Sequence, residues 1–360
     1  MVSVMSNIIC DFSVRTIAAA TEEFPRHSEA SILELKDKRL LIAWQRHERS
    51  GFGSGDQAPS SIALMNSGDN GASWDHFRIA AGMIPGCVNV YSPSLYRCAD
   101  GTISLFFKRY THLVWGEEVL NSYYRIDSHD EGETWSDEQL IWENKPYMAI
   151  NHAAKRIASG ATLLPIERTE AWGGPKDCSS VSVLRSEDDL HTWTESNSIY
   201  TPMRGLSEPC IAQHADGSLH MVMRTQLGSV FHSFSTDDGR TWSKPQVTGL
   251  HAPESCPCIV TVPGTDAQIV VWNNSEYDMK WRSHYGKRTP LTLAVSRDGL
   301  RTFSDFYDIE NDPNRAFTNP SVTVTSDGLF LLNYWTAPYS SEGVFGGLID
   351  LKLASFRIRL

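Results

Sequence analysis

The chain lacks the features of several protein classes. No apolar run is long enough to cross a bilayer as a helix. No segment shows the spacing of an amphipathic helix, so a helical bundle is excluded. Gly/Ser-rich linkers and low-complexity tracts are missing, which argues for one domain over residues 1–360 although the length alone would suggest two or three. Cysteine is sparse, and the seven present are an odd number without zinc-ligand or disulfide-framework spacing. Cys256-Pro-Cys258 is tighter than a metal-binding or redox pair and reads as buried strand thiols. Neither a metal nor a cofactor is therefore expected. Positive charge is also short: the net charge is -11, which argues against nucleic acid and anionic membranes as partners. An anionic substrate stays open, because local arginine clusters decide that. The first residues carry no basic segment followed by an apolar one, so a cytoplasmic location is expected.

What the chain has instead is a repeat. Ser-x-Asp-x-Gly-x-x-Trp occurs at Ser67–Trp74, Ser128–Trp135 and Ser235–Trp242. Ser186–Trp193 and Ser296–Phe303 are variants with Leu190 and Leu300 at the glycine position. A period of about fifty to sixty residues means one supersecondary unit copied many times. The box chemistry is that of a turn: short Ser and Asp side chains bond nearby amides, Gly accepts a positive φ, and the aromatic anchors the turn. Between the boxes lie six apolar hairpins, the first strands opening near Glu29, Ser92, His152, Glu208, Cys256 and Asn319. Asp100-Gly101, Ser159-Gly160, Asp216-Gly217 and Asp327-Gly328 mark four of their turns. Six hairpins and five boxes predict an all-β fold, a six-bladed β-propeller. The sixth unit has no box, so a strand from the other terminus, around Ile8 to Ile17, is expected to complete it and close the ring.

In such a ring the first strand of every blade converges on a central channel. The equivalent slot reads Ser28-Glu29, Tyr91-Ser92, Asn151-His152, Ser207-Glu208, Ser255-Cys256 and Thr318-Asn319. A structural slot would repeat one residue type; this one varies among acid, imidazole, amide, phenol and thiol, as a binding surface does. Arg224 and Arg109 end second strands, and Arg288 precedes the third strand of blade five. Arginine from several blades suits a carboxylate or sulfate ligand.

These motifs resemble those of the sialidase superfamily, the BNR or Asp-box neuraminidase-like propellers, over nearly the whole chain. The resemblance implies three carboxylate-binding arginines, an Asp acid/base and a Tyr nucleophile assisted by a Glu. Glu208 followed by Asp216-Gly217 and Arg224 looks like the blade-four pattern, Arg288 like the blade-five arginine, and Asp56 in Gly53-Ser-Gly-Asp56 like the acid/base. Two positions depart. Ser28 aligns with the first arginine, leaving Arg26 or His27 to substitute by a local shift, and Phe317 stands where the nucleophilic Tyr should be. Phenylalanine cannot attack an anomeric carbon, so a standard sialidase double displacement is not expected.

Three readings follow. One is an exo-glycosidase acting on an acidic sugar of an oligosaccharide or glycoconjugate, with Asp56 and Glu208 as the carboxylate pair and water attacking directly. Arg224, Arg288, Arg26, Arg109, Tyr91 and Asn319 would hold the substrate, and Trp44, Trp115 and Trp272 would offer platforms. Another is a lyase cutting uronic-acid linkages, with His27, His152 or Tyr91 moving the proton. The third is a noncatalytic sugar- or protein-binding propeller.

Overall fold

The strand pattern builds six antiparallel sheets. The computed structural model describes residues 8–150, 154–169, 171–174, 176–281 and 284–360. Blade one holds Arg26–Glu34, Leu40–His47, Ser60–Ser67 and Asp75–Ala81, in that order from the channel outward. Blade two follows with Asn89–Arg97, Ile103–His112, Leu120–Ser128 and Gln139–Lys145. Blades four and five repeat the plan from Ser207–Gln213 to Gln246–His251 and from Cys258–Thr261 to Ser304–Glu310. Blade three is the irregular one: Tyr147–Met148 and Lys155–Arg156 both pair with Thr162–Thr169 where other blades have one continuous inner strand. No helix occurs among the described residues, and none is therefore long and apolar enough to cross a membrane.

Closure comes from both ends of the chain. Ile9–Ala18 pairs antiparallel with Asp350–Ile358, completing the sheet of Arg315–Val324 and Phe330–Pro338. The inner edge of blade one meets blade six directly: Asn319 Nδ2 donates to Glu29, and Thr323 Oγ1 donates to the Ile32 carbonyl. The first and last blades are thus joined both through the shared sheet of the two termini and by side-chain bonds between their inner strands.

The boxes are the turns between third and fourth strands, and their role is to join neighbouring blades. In the first, the Ser67 hydroxyl accepts the Gly71 amide at 2.9 Å, and Asp69 takes the Ser73 amide at 2.8 Å and hydroxyl at 2.7 Å. Ser128 and Asp130, Ser186 and Asp188, Ser235 and Asp237, and Ser296 and Asp298 repeat these bonds. Gly71 has φ +83°, and a Cβ there would lie 2.6 Å from Leu353 of blade six. Gly132 of blade two meets Leu41 of blade one in the same way. Each glycine therefore lets its turn press against the preceding blade, and Trp74 and Trp135 join the apolar layers between those blades. Leu190 and Leu300 hold the same left-handed backbone with a buried side chain in place of hydrogen.

Hydrogen bonds from the neighbouring Ser73, Thr134 and Thr192 hold the carboxyls of Asp69, Asp130 and Asp188 down at about 2. A carboxyl depressed by folding stabilises the fold above its ordinary value and ceases to do so as pH falls through the folded value. Stability should thus decline between about pH 4 and pH 2 in urea titrations. Replacing all three aspartates by Asn should flatten that decline; an unchanged slope would show that the boxes do not carry it.

Candidate functional site

Four innermost strands break register at the same place. The shifts fall between Ser28 and Ala30, Tyr91 and Ser94, Ser207 and Cys210, and Thr318 and Ser321. The extra residue in each is Glu29, Ser92, Glu208 or Asn319, with φ of 50°, 51°, 50° and 51°. These are β-bulges, which bend a strand and re-aim a side chain. A left-handed residue other than glycine costs about 1 kcal/mol or more, so four of them need a compensating interaction. For three of them it comes from one another, since Glu29 accepts the Ser92 hydroxyl at 2.8 Å and the Asn319 amide at 2.9 Å; for Glu208 it comes from Arg224, which donates to it at 2.9 Å. Blade five has no bulge there, since its inner strand starts only at Cys258. The blade-three slot, with His152, lies outside the described residues.

A continuous path of polar contacts runs from blade one through blade six to blade four. Arg26 donates to Asp56 at 2.6 Å, to the Tyr91 oxygen at 3.0 Å and to Ser28 at 2.9 Å, and lies 3.7 Å from Glu29. Tyr91 in turn donates to Asp56 at 2.7 Å. Asn319 links Glu29 to Thr318, whose hydroxyl accepts Arg288 at 2.6 Å. Arg288 also donates to the Glu254 carbonyl at 3.0 Å. The Glu254 carboxylate pairs with Arg224 at 2.9 Å and with Arg204, which also holds Asp177 at 2.7 Å.

The electrostatics separate the acids. Burial works against ionisation of Glu208, but the charges of Arg224 and Arg288 outweigh it and hold its carboxyl below the usual range. Asp56 is half open to solvent yet crowded by surrounding protein, which opposes its ionisation; Arg26 and Tyr91 overcome this and bring that carboxyl to about 2. Asp56 is also the accessible member, with 49% of its side chain exposed. Glu29 moves the other way: burial raises it against the pull of Arg26 and Lys108. Arg288 is lowered to about 10, first by burial and then by repulsion from Arg224. Among the described residues it has no carboxylate within ion-pair distance, and the Nε donors of Arg224 and Arg288 meet no acceptor. A guanidinium offers five N–H donors; among the described residues Arg288 donates to Thr318 and to the Glu254 carbonyl. A buried cation with spare donors suits an anionic ligand.

Several expectations need correction. Arg109 does not enter this basin. Strand alternation turns it onto the rings of Phe107 and Tyr124, where it pairs with Glu138 and the Gly82 carbonyl. Its neighbour Lys108 takes the inward position, buried over Tyr91 and Tyr110 with its ammonium on the Ala149 carbonyl at 3.2 Å. Burial lowers the Lys108 ammonium, against the attraction of Glu29, Glu167 and Glu208. Trp44 and Trp272 are each 1% exposed and cannot serve as platforms, whereas Trp115 is 69% exposed. His27 accepts the Trp44 indole N–H at 3.0 Å, and burial together with Arg46 lowers it to about 4, so it is neutral at pH 7. Phe317 packs on Tyr334 in the core, while Thr318 beside it faces Arg288. Glu29 stands in the compared slot without an assigned role, and Lys108 is one residue from Arg109 on the opposite face of the same strand. Arg204 and Glu254 sit in loops and carry no periodic signal. Among the described residues no group of His, Cys, Asp and Glu is placed to hold a metal.

Comparison with known proteins follows the same outline. The family model for the BNR repeat-like domain matches residues 88–332. No curated protein sequence matches. Among solved structures, a Dyadobacter fermentans protein of unknown function is 16% identical, with 96% of this chain and 99% of that one covered and a TM-score of 0.74. The NanB sialidase of Streptococcus pneumoniae is 13% identical over 96% of this chain and 70% of its own, with a TM-score of 0.73. The intramolecular trans-sialidase of Ruminococcus gnavus is 16% identical over 99% and 98%, with a TM-score of 0.71. At such identities the likeness is one of fold.

Replacing Tyr91 with Phe removes one donor from Asp56 while keeping the ring. The Asp56 carboxyl should then titrate above its starting value of about 2, read from the carboxyl carbon by NMR. An unmoved titration would show that the phenol does not hold this acid.

Proposed function

The chain belongs to the BNR repeat-like domain family, and on that footing we propose that it is a carbohydrate-active enzyme, an exo-glycosidase whose substrate ends in an acidic sugar. The observation that carries this reading is Arg288, a buried guanidinium with no carboxylate at ion-pair distance among the described residues, set beside the Glu208–Arg224 pair. Sialidases among the structural neighbours support the substrate class. Arg288 and Arg224 take the sugar carboxylate with charge-assisted bonds. Glu208, kept ionised by the same two arginines, accepts a proton from the attacking water. With phenylalanine at position 317, direct displacement by water replaces a covalent step through tyrosine.

Asp56 has the exposure to meet a leaving group. Arg26 and Tyr91 keep it ionised, so to protonate the leaving group it must first take a proton from solvent as substrate loosens the hold of Arg26, and it then passes that proton to the leaving oxygen. Its carboxylate also stabilises positive charge on the sugar ring as the bond breaks. Glu29, tied to blades two and six and raised by burial, keeps the basin in shape beneath this pair.

Fluorogenic and reducing-end assays on sialosides and uronides test the reading. Hydrolysis should yield a new reducing end without an ultraviolet-absorbing unsaturated product. Glu208→Gln should lower kcat/KM by about 100-fold or more, and Arg288→Lys should raise KM, both with unchanged circular dichroism. Full activity in both variants would place the chemistry elsewhere. Sugar binding without turnover over long incubation would make the protein a binding module.

A further inference from the structure

The bulged ends of the inner strands open on the basin, so the turns that follow these strands, and the boxes, lie at the opposite face of the ring. A cavity of about 380 Å³ lies on that face. It runs along blade three, from the inner turn of blade two at Ala99 to the box of blade four at Asp238 and Arg240. We propose that this cavity is a second binding site, for a small zwitterion of the α-amino-acid type, independent of the chemistry in the basin.

The cavity originates in a difference between two seams of the ring. The inner turns of blades one, two and three share one pattern of backbone bonds: the Leu35 amide to the Arg39 carbonyl, Cys98 to Thr102, and Ile157 to Ala161. Lys36 of blade one therefore corresponds to Ala99 of blade two, and Arg97 of blade two to Arg156 of blade three. In the boxes Glu131 corresponds to Asp189, and both stand at left-handed φ. Between blades one and two these side chains close the seam. Arg97 donates to both Glu131 oxygens at 2.9 and 2.8 Å. Glu131 also takes the Lys36 amide at 2.9 Å and lies 3.2 Å from its ammonium. Between blades two and three an alanine stands in place of the lysine, and the carboxylate is one methylene shorter. Arg156 and Asp189 form no ion pair among the described residues, and both line the cavity. The smaller side chains thus leave open space and two unspent charges of opposite sign at one place.

The rest of the lining keeps that balance. Arg185 lies on the wall and is only 5% exposed. It donates Nε to the Asp238 carbonyl at 2.9 Å and one Nη to Glu187, whose same oxygen accepts Arg240 at 2.6 Å. One carboxylate is therefore shared by two guanidinium groups, while Asp238 stays 4.0 Å from Arg240. In all, three arginines face three carboxylates. A lining without net charge favours neither a plain anion nor a plain cation. A ligand that carries both charges a few bonds apart uses both halves of it. Its carboxylate takes forked bonds from Arg156 beside Arg185, and its ammonium meets Asp189. The volume is within the range of small-molecule pockets.

Backbone-amide NMR titrations of the full chain with L-alanine test the site. Saturable shifts should appear at Ala99, Gly160 and Asp189, with a dissociation constant on the order of 1 mM. Acetate and ethylammonium, which carry one charged end each, should bind at least about tenfold more weakly. Arg156→Gln and, separately, Asp189→Asn should each weaken L-alanine binding about tenfold or more. The double change Ala99→Lys with Asp189→Glu rebuilds the closed seam of blades one and two and should abolish binding. Both positions are exposed, and Glu131 shows that glutamate fits this left-handed position, so the fold should persist, as a thermal melt checks. If the double variant does not fold, Arg156→Gln carries the test. The absence of saturable shifts at these amides would overturn the site. So would acetate binding as tightly as L-alanine, or undiminished L-alanine binding by the rebuilt seam or by Arg156→Gln.

Discussion

An inner strand of a propeller blade must satisfy two demands at once: it pairs with its neighbour in the sheet, and it presents side chains to a narrow channel. A regular strand alternates its side chains across the sheet and gives no freedom to aim one along the axis. The bulge resolves this by inserting one residue at positive φ, at a cost in backbone energy and one unpaired ladder position. In blades one, two, four and six that residue is Glu29, Ser92, Glu208 or Asn319. The bonds of Glu29 to Ser92 and Asn319, and of Glu208 to Arg224, offset the strain. Strain, polar network and candidate site are therefore one feature seen from three sides.

The network also explains the balance of charge. Arg26, Arg204 and Arg224 each face carboxylates, and a buried ion pair of this kind is sensitive to the loss of either partner. Arg288 stands apart, bonded to a hydroxyl and a carbonyl. Burial and then the charge of Arg224 lower its guanidinium, and an anion beside it would offset both. An overall acidic chain can in this way keep a local cation for an anionic ligand.

The blades were legible in the sequence because each repeats a local rule. Ser-x-Asp-x-Gly marks a turn by chemistry within a few residues, and Asp-Gly does the same at the hairpins. The pairing of Ile9–Ala18 with the last strand followed from a missing box. The bulged slot was also legible as a position, since Glu29, Ser92, Glu208 and Asn319 occupied the compared column. What the sequence hid was orientation and company. Arg109 and Lys108 differ by one residue, and only the phase of the strand decides which faces the channel. Trp44, Trp115 and Trp272 look alike as residues, yet two are core and one is open to solvent. Arg204 and Glu254 reach the basin from loops whose path no periodicity encodes.

The central claim is that Arg288 and Arg224 hold an anion beside Glu208. A crystal structure of the Glu208→Gln protein soaked with an acidic monosaccharide tests it most directly. The account predicts the sugar carboxylate within hydrogen-bond distance of both guanidinium groups, with its anomeric carbon toward position 208. A sugar seated elsewhere, with the Arg288 environment unchanged, would contradict it.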